Sequence, residues 1–413
     1  MTYYLDNYAV RGQLIKNTPQ SDLGIIVVIP CHNETGLTNS LQSLYKCELP
    51  ACSLEVIVVI NASESSSPEI INQNKKTFYE ALSWVESHQK NKLSYYFIEE
   101  NSLPQKHAGV GLARKIGMDE AVRRFDTINN PNGVIVCFDA DARCEHNYLV
   151  EIENHFKTHS KTPACSIHFE HPTVGNNFSK EIYEGIIQYE LHLRVYKNGL
   201  SYAGLPYAYH TIGSSMAVVS SAYQKQNGMN KRKAGEDFYF LQKLIPLGSF
   251  TELTTTKVIP SPRVSDRVPF GTGKAMGDFL EGKEKVMYSY NTNSYKDLKQ
   301  FCEVLPYLYD NANIDLPQSI NNFLESVKWK CSYHKIKQNS TSREHFTKLF
   351  FNWFNAFKVL KYMHHARDNY YPDQSVFDVG NNLLKLLEEN QQDSSMLMLK
   401  KYREMDRYVS LNK

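Results

Sequence analysis

An α/β fold with a mostly parallel sheet, followed by a helical C-terminal region, is predicted by three observations. Strand-like and helix-like segments alternate over residues 24–170. The apolar run Val134-Ile135-Val136-Cys137-Phe138 leads straight into Asp139-Ala140-Asp141, as a buried strand ending in a polar turn would. Beyond about residue 275 no strand pattern appears. Repeated strand–helix–strand order implies parallel pairing with right-handed crossovers.

The elements follow from local chemistry. Ile25–Ile29 is a β-branched run stopped by Pro30. Leu37, Leu41 and Leu44 share one helical face within 35–46. Residues 54–60 form a second buried strand. A long helix over 68–90 has Pro68 near its start. A third strand at 93–98, a helix over 108–124 and the strand at 134–138 complete the alternation. Later signals are a helix over 180–196, a loop over 199–213, a strand at 216–219, a helix at 237–245 and a strand at 251–259. Residues 261–273 form a loop broken by Gly and Pro. Helical stripes follow at 316–327, 346–363, 376–387 and 395–408. A boundary near 270–290 divides the chain into a catalytic domain, 1–275, and an α-helical domain, 276–413.

Composition excludes some classes. Lys and Arg total 46 against 44 Asp and Glu, a net charge of +2, so no cationic field advertises nucleic acid. Eight scattered cysteines without a Cys-x-x-Cys pair read as reduced thiols. Residues Met1–Asp6 lack a signal-peptide pattern, and no apolar run spans a membrane. The cytosol is the expected compartment. The apolar stripe of residues 345–365, with Lys348, Lys358 and Lys361 nearby, suits either burial or peripheral docking at the inner face of a membrane.

The chemistry begins at the paired aspartates. Strand ends of open α/β sheets are where ligands bind, and two neighbouring carboxylates repel unless a cation lies between them. Mg²⁺ typically takes one or two carboxylates together with substrate phosphates. Three further clusters accompany them: Pro30-Cys31-His32-Asn33-Glu34 at a strand end, Ala113-Arg114-Lys115-Ile116-Gly117 on a helix, and Glu236-Asp237 opening another helix.

In this order the four clusters resemble the family-2-type glycosyltransferases of the GT-A fold, a Rossmann-like mostly parallel sheet, over roughly residues 22–270. That family shows Pro-x-x-Asn-Glu, Ala-Arg-Asn-x-Gly, Asp-x-Asp and a Glu-Asp pair. The resemblance implies a metal-dependent enzyme, read as inverting because the His that retaining relatives often carry after the Glu-Asp pair is missing. It would move a sugar from a nucleotide-diphospho-sugar to a hydroxyl of a saccharide, lipid-linked or small-molecule acceptor. It implies that Asp139 and Asp141 hold Mg²⁺ or Mn²⁺ against the diphosphate. Asp237 would be the general base, with Glu236 supporting it or orienting the acceptor. Pro30, Asn33, Glu34, Asn61, Lys106, Arg114, Arg263 and Arg267 would meet the nucleotide sugar, the last two from a loop that closes over it.

The pattern also departs from the family's. Asn61 stands where the base-reading Asp is usual, and Lys115 replaces the Asn of the helical motif. No His occurs between 211 and 333, where retaining relatives often carry a further metal ligand; His210 lies upstream. The Gly213-Ser214-Ser215 turn suits either a sugar approach or a tight bend. A nucleotidyltransferase-like enzyme and a catalytically silent GT-A binding module are the alternatives. The first expects a Gly-rich basic loop after the first strand, where Cys31-His32-Asn33-Glu34 stands.

Overall fold

The computed structural model describes residues 2–283, 287–311 and 314–411. The chain divides into two compact units: Met1–Gly175 with Thr211–Lys274 and Asp406–Lys413, and Asn176–His210 with Ala275–Met405.

The first unit is built on one sheet. Its elements in chain order are α1 (Tyr3–Asn7), β1 (Leu23–Cys31), α2 (Leu37–Tyr45), β2 (Ser53–Ser63), α3 (Pro68–Ser87), β3 (Leu93–Leu103), α4 (Val110–Thr127), β4 (Val134–Cys137), β5 (Arg143–Cys144), α5 (Tyr148–Thr158) and β6 (Ala164–Phe169). Helix α6 (Lys180–Tyr202) falls in the second unit. The first unit resumes with β7 (Met216–Val219), α7 (Ser220–Lys225), α8 (Glu236–Leu244) and β8 (Thr251–Ile259).

The sheet order is β3-β2-β1-β4-β7-β6-β8-β5. β3, β2, β1 and β4 run parallel, in register from Val28 to Ile57 and from Val28 to Cys137. Their C-terminal ends therefore share one sheet edge. β7 is antiparallel to both β4 and β6, so β6 points the same way as β4. Short Met216–Val219 can sit antiparallel in the middle because all four of its residues pair in register with β4. β1 and β2 are apolar on both faces and buried throughout their centres, as strands covered by layers on both sides must be.

Helix α4 explains how charge enters this core. It rides on β1 at Gly117, where a Cβ would stand 2.5 Å from Val28 Cγ1. Residues 111–125 of α4 are all buried, six charged side chains among them. The N-terminal segment satisfies several of these. Asp119 accepts from Tyr4 Oη at 2.5 Å, Tyr223 Oη at 2.8 Å, Lys115 Nζ at 3.1 Å and Val10 N–H at 3.0 Å. Glu120 takes the N–H groups of Leu14 and Ile15. Arg124 pairs with Glu55. A buried charge is tolerated only when paired and hydrogen-bonded, and here the partners come from far along the chain.

The second unit is mainly helical. After α6 come α9 (Thr272–Leu280, which begins in the first unit), α10 (Thr292–Val304), α11 (Gln318–Ser326), α12 (Trp329–Gln338), α13 (Arg343–Trp353), α14 (Ala356–Asn369), α15 (Val376–Leu386) and α16 (Ser395–Leu411, whose end from Asp406 belongs to the first unit). Two sequence expectations need correction. The stripe at 346–363 is two helices, because Asn355 caps α14 by accepting from Lys358 N–H at 3.2 Å. Strands are present beyond 275: β9 (Tyr288–Ser289) pairs with β10 (Gln374–Ser375), each too short to carry a pattern. The apolar stripe is spent on the core of this unit, where Phe346, Phe350, Phe354, Val359, Tyr362 and Met363 are fully buried. Among the described residues no helix is long and apolar enough to cross a membrane.

Candidate functional site

The C-terminal ends of β1, β2 and β4 build one polar edge in the first unit. After β1 the chain turns through Asn33, whose φ of 48° is left-handed and suits Asn. Its N–H donates to Asn74 Oδ1 at 2.9 Å. Asn74 Nδ2 in turn donates to the Asn61 carbonyl at 3.0 Å, and His32 Nδ1–H donates to the same carbonyl at 2.7 Å. The ends of β1 and β2 are thus tied by one buried amide from α3. Asn74 escaped sequence reasoning, although its place beside Thr77 and Ala81 on the buried face of α3 was a readable signal.

Beyond β4, Asp139 and Asp141 lie on a turn closed by the Ala142 N–H to the Asp139 carbonyl at 3.1 Å. They stand past the strand end, so strand alternation does not orient them. Arg114 does. Its guanidinium is buried and bonds Asp139 Oδ1 at 2.5 Å through Nη2 and Glu236 Oε1 through Nη1. A Cβ at Gly213 would stand 2.3 Å from Arg114 Nη1. The Gly213-Ser214-Ser215 turn therefore admits the arginine. A side chain there would displace it.

Glu236 and Asp237 form the first turn of α8, favourable ground for acidic side chains. The loop before α8 lies against the start of α4, where a Cβ at Gly111 would meet the Arg232 carbonyl at 2.3 Å. Asn230 Nδ2 donates to the Glu236 carbonyl at 2.8 Å. Burial pushes the Glu236 carboxyl up to about 7, against the pull of Arg114 and with the Asp237 carboxylate adding to the rise. Burial also raises Asp237, again opposed by Arg114, and the Asp139 carboxylate adds to the rise. Burial weighs against the charge on Arg114, but Asp139 and Glu236 raise its pKa above the usual arginine value.

A second ion cluster adjoins the same turn. Arg263 Nε bonds Asp141 Oδ2 at 2.6 Å, and its Nη2 bonds Glu34 Oε2. Arg267 Nη1 reaches the same Glu34 oxygen at 3.0 Å, and its Nη2 donates to the Asn33 carbonyl at 2.6 Å. Burial raises the Asp141 pKa, with Arg263 opposing.

The structure thus brings together Asn33, Glu34, Arg114, Asp139, Asp141, Glu236, Arg263 and Arg267 in two ion networks, with Asp237 inside the field of the first. Asn61 contributes its carbonyl at the end of β2. Pro30 is half-buried within β1, and Lys106 is exposed on the turn between β3 and α4. His210 is buried in the second unit.

Among the described residues no group of three or more His, Cys, Asp or Glu side chains could hold a metal ion alone. Asp139 and Asp141 each commit one oxygen to an arginine. Such a carboxylate pair suits a hard divalent ion whose remaining ligands are waters or phosphate oxygens.

Residues 26–208 match the model of the family described as glycosyl transferase family 2. No curated protein sequence matches the chain. Among solved structures the chain is similar to S. aureus TarS 1–349 in complex with UDP-GlcNAc, at 12% identity, covering 94% of this chain and 92% of that one, with a TM-score of 0.41. It is also similar to the mannosyltransferase PcManGT from Pyrobaculum calidifontis in complex with GDP-Man and Mn²⁺, at 13% identity, covering 86% and 94%, with a TM-score of 0.38.

Proposed function

For a glycosyltransferase that carries a glycosyl transferase family 2 domain over residues 26–208, we propose transfer of a sugar from a nucleotide-diphospho-sugar to an acceptor hydroxyl, with inversion and with Mg²⁺ or Mn²⁺. The observation that supports this reading is the single buried guanidinium of Arg114 bridging Asp139 and Glu236. It joins the aspartate turn to the Glu-Asp helix, which this reading takes as the donor side and the acceptor side of one site.

In this reading Asp139 and Asp141 hold the divalent ion, which neutralises charge on the departing diphosphate when bound. Arg263 and Arg267 present planar donor forks to the phosphates. Asp237 accepts the proton of the acceptor hydroxyl as that oxygen bonds the anomeric carbon and the bond to the diphosphate breaks. Glu236, fixed by Arg114 and Asn230, orients Asp237. A base raised by burial is better matched to neutral pH than an exposed carboxylate. Pro30, Asn33, Asn61 and Lys106 are assigned to the nucleotide side, at the ends of β1 and β2 and on the turn before α4.

The reading is tested by thermal shift with UDP, GDP and their sugar conjugates, with and without Mn²⁺. A ligand at 100 times its dissociation constant adds about 2.7 kcal/mol. If no nucleoside diphosphate stabilises the protein in the presence of Mn²⁺, the donor assignment fails.

A further inference from the structure

Arg263 and Arg267 arrive at one side chain. Glu34 is buried, at 3% exposure. Its Oε1 accepts the Gly36 N–H at 2.9 Å, which sets the orientation of the carboxylate from its own turn. Thr77 Oγ1 donates to the Glu34 carbonyl, and Asn74 holds the Asn33 N–H. The Glu34 side chain and the backbone on either side of it are thus held. Oε2 then meets Arg263 and Arg267 together.

The segment that brings them is itself preformed. Ser265 N–H donates to the Gly273 carbonyl at 3.2 Å. A Cβ at Gly273 would stand 2.5 Å from Ser265 Cβ, so the loop closes on its own base. Gly271, with φ 97°, makes the return.

The two arginines divide their partners unequally. Arg263 spans Glu34 and Asp141. Arg267 holds Glu34 and the Asn33 carbonyl and makes no bond to Asp141. If a cation takes the charge of Asp141, Arg263 loses one carboxylate and keeps the other. The loop then stays seated while one guanidinium face becomes available to phosphate.

We propose that Glu34 is the positioning residue that seats loop 261–273 beside the Asp139–Asp141 turn, whatever Asp141 itself binds. It acts through the two arginines and does not touch the reacting atoms. A buried carboxylate stripped of both cations is strongly disfavoured, and this is what draws the loop home. The role rests on the donor reading above, because seating matters only if phosphate or water is the species to be held or excluded.

The test is hydrogen exchange of the full chain, first without ligand. In Glu34→Gln the amides of 261–273 exchange about 10-fold faster, and in Arg267→Gln about 3-fold faster, while β1 and β2 amides keep their wild-type rates. Asp141→Asn loosens the loop less than either. The double variant Glu34→Gln/Arg267→Gln exchanges faster than Glu34→Gln alone by less than the Arg267→Gln factor, because the two changes share the Glu34 contact and only the Asn33 carbonyl bond is lost in addition. Wild-type exchange across 261–273 in folded Glu34→Gln and Arg267→Gln overturns the proposal. So does an additive double variant, or an Asp141→Asn loop as loose as that of Glu34→Gln. If Glu34→Gln does not fold, Arg267→Gln and Asp141→Asn decide, since both side chains are partly exposed. A second arm adds UDP or GDP with Mn²⁺. Absence of nucleotide binding to the wild type would sink the donor reading, while the ligand-free arm still judges the seat.

Discussion

Replacing Arg114 by methionine keeps side-chain volume and removes the cation at the centre of the first ion network. The two partners lose unequal amounts. Asp139 is 38% exposed and recovers water, whereas Glu236 is 4% exposed and does not. Loss of one partner from a buried pair costs about 3–5 kcal/mol, so Arg114→Met should lower stability by about 4 kcal/mol at pH 8.5, nearly all of it through Glu236. The pH dependence follows from the Glu236 carboxyl, which burial already holds up at about 7 beside Arg114. Without the arginine its folded pKa rises further above the unfolded value. A raised folded pKa favours the protonated form, so its contribution is full at low pH and is lost as pH rises through the folded value. The deficit of the variant should therefore shrink by about 1–2 kcal/mol at pH 6, at 1.4 kcal/mol per unit. Glu236→Gln in the Arg114→Met background should recover most of the loss. Urea unfolding at the two pH values, with unchanged slope, measures all of this. A deficit below about 1 kcal/mol, or one indifferent to pH, would refute the reasoning.

The other expectations concern the same edge and one remote histidine. Asp141→Ala should abolish Mn²⁺-linked binding of a nucleoside diphosphate without unfolding the chain, since Asp141 is partly exposed; calorimetry that finds wild-type Mn²⁺-dependent affinity rejects its metal role. Asp237→Asn should retain donor binding and lower transfer by ~10²-fold or more, and parental turnover would place the base elsewhere. His155, packed on Thr251 Oγ1 at 2.7 Å and against His159, is held down to about 4 by burial first and His159 second. Its neutral form is favoured on folding, so stability is full above the unfolded value near 6.5 and falls as pH drops toward 4, by up to about 3 kcal/mol. His155→Gln should flatten that limb of the acid unfolding curve.

The catalytic sheet was legible because burial leaves a local imprint. Ile25–Ile29, Val56–Ile60 and Val134–Val136 are apolar at every position, and both their faces are covered. The helical spacing of Leu37, Leu41 and Leu44 likewise follows from one buried face. The Asp-x-Asp and Glu-Asp pairs were legible as motifs in order along the chain. Lys106 was assigned to the site by its sequence position next to α4, and it lies exposed on the turn before that helix. The loop over 261–273 was visible from its Gly and Pro content, but its resting place was not.

Sequence by itself determined which segments must be strands or helices, because apolar spacing repeats within a few residues and reports directly on which side faces the core. Tertiary structure alone decided where the charges go. Arg114 and Glu236 are 122 residues apart, Arg263 and Glu34 are 229 apart, and Tyr4 and Asp119 are 115 apart. An arginine on a helix carries the same local pattern whether water or a carboxylate awaits it. Only the folded sheet edge, with Gly213 making room and the N-terminal segment covering α4, brings opposite charges together out of water, where an unpaired one would be costly.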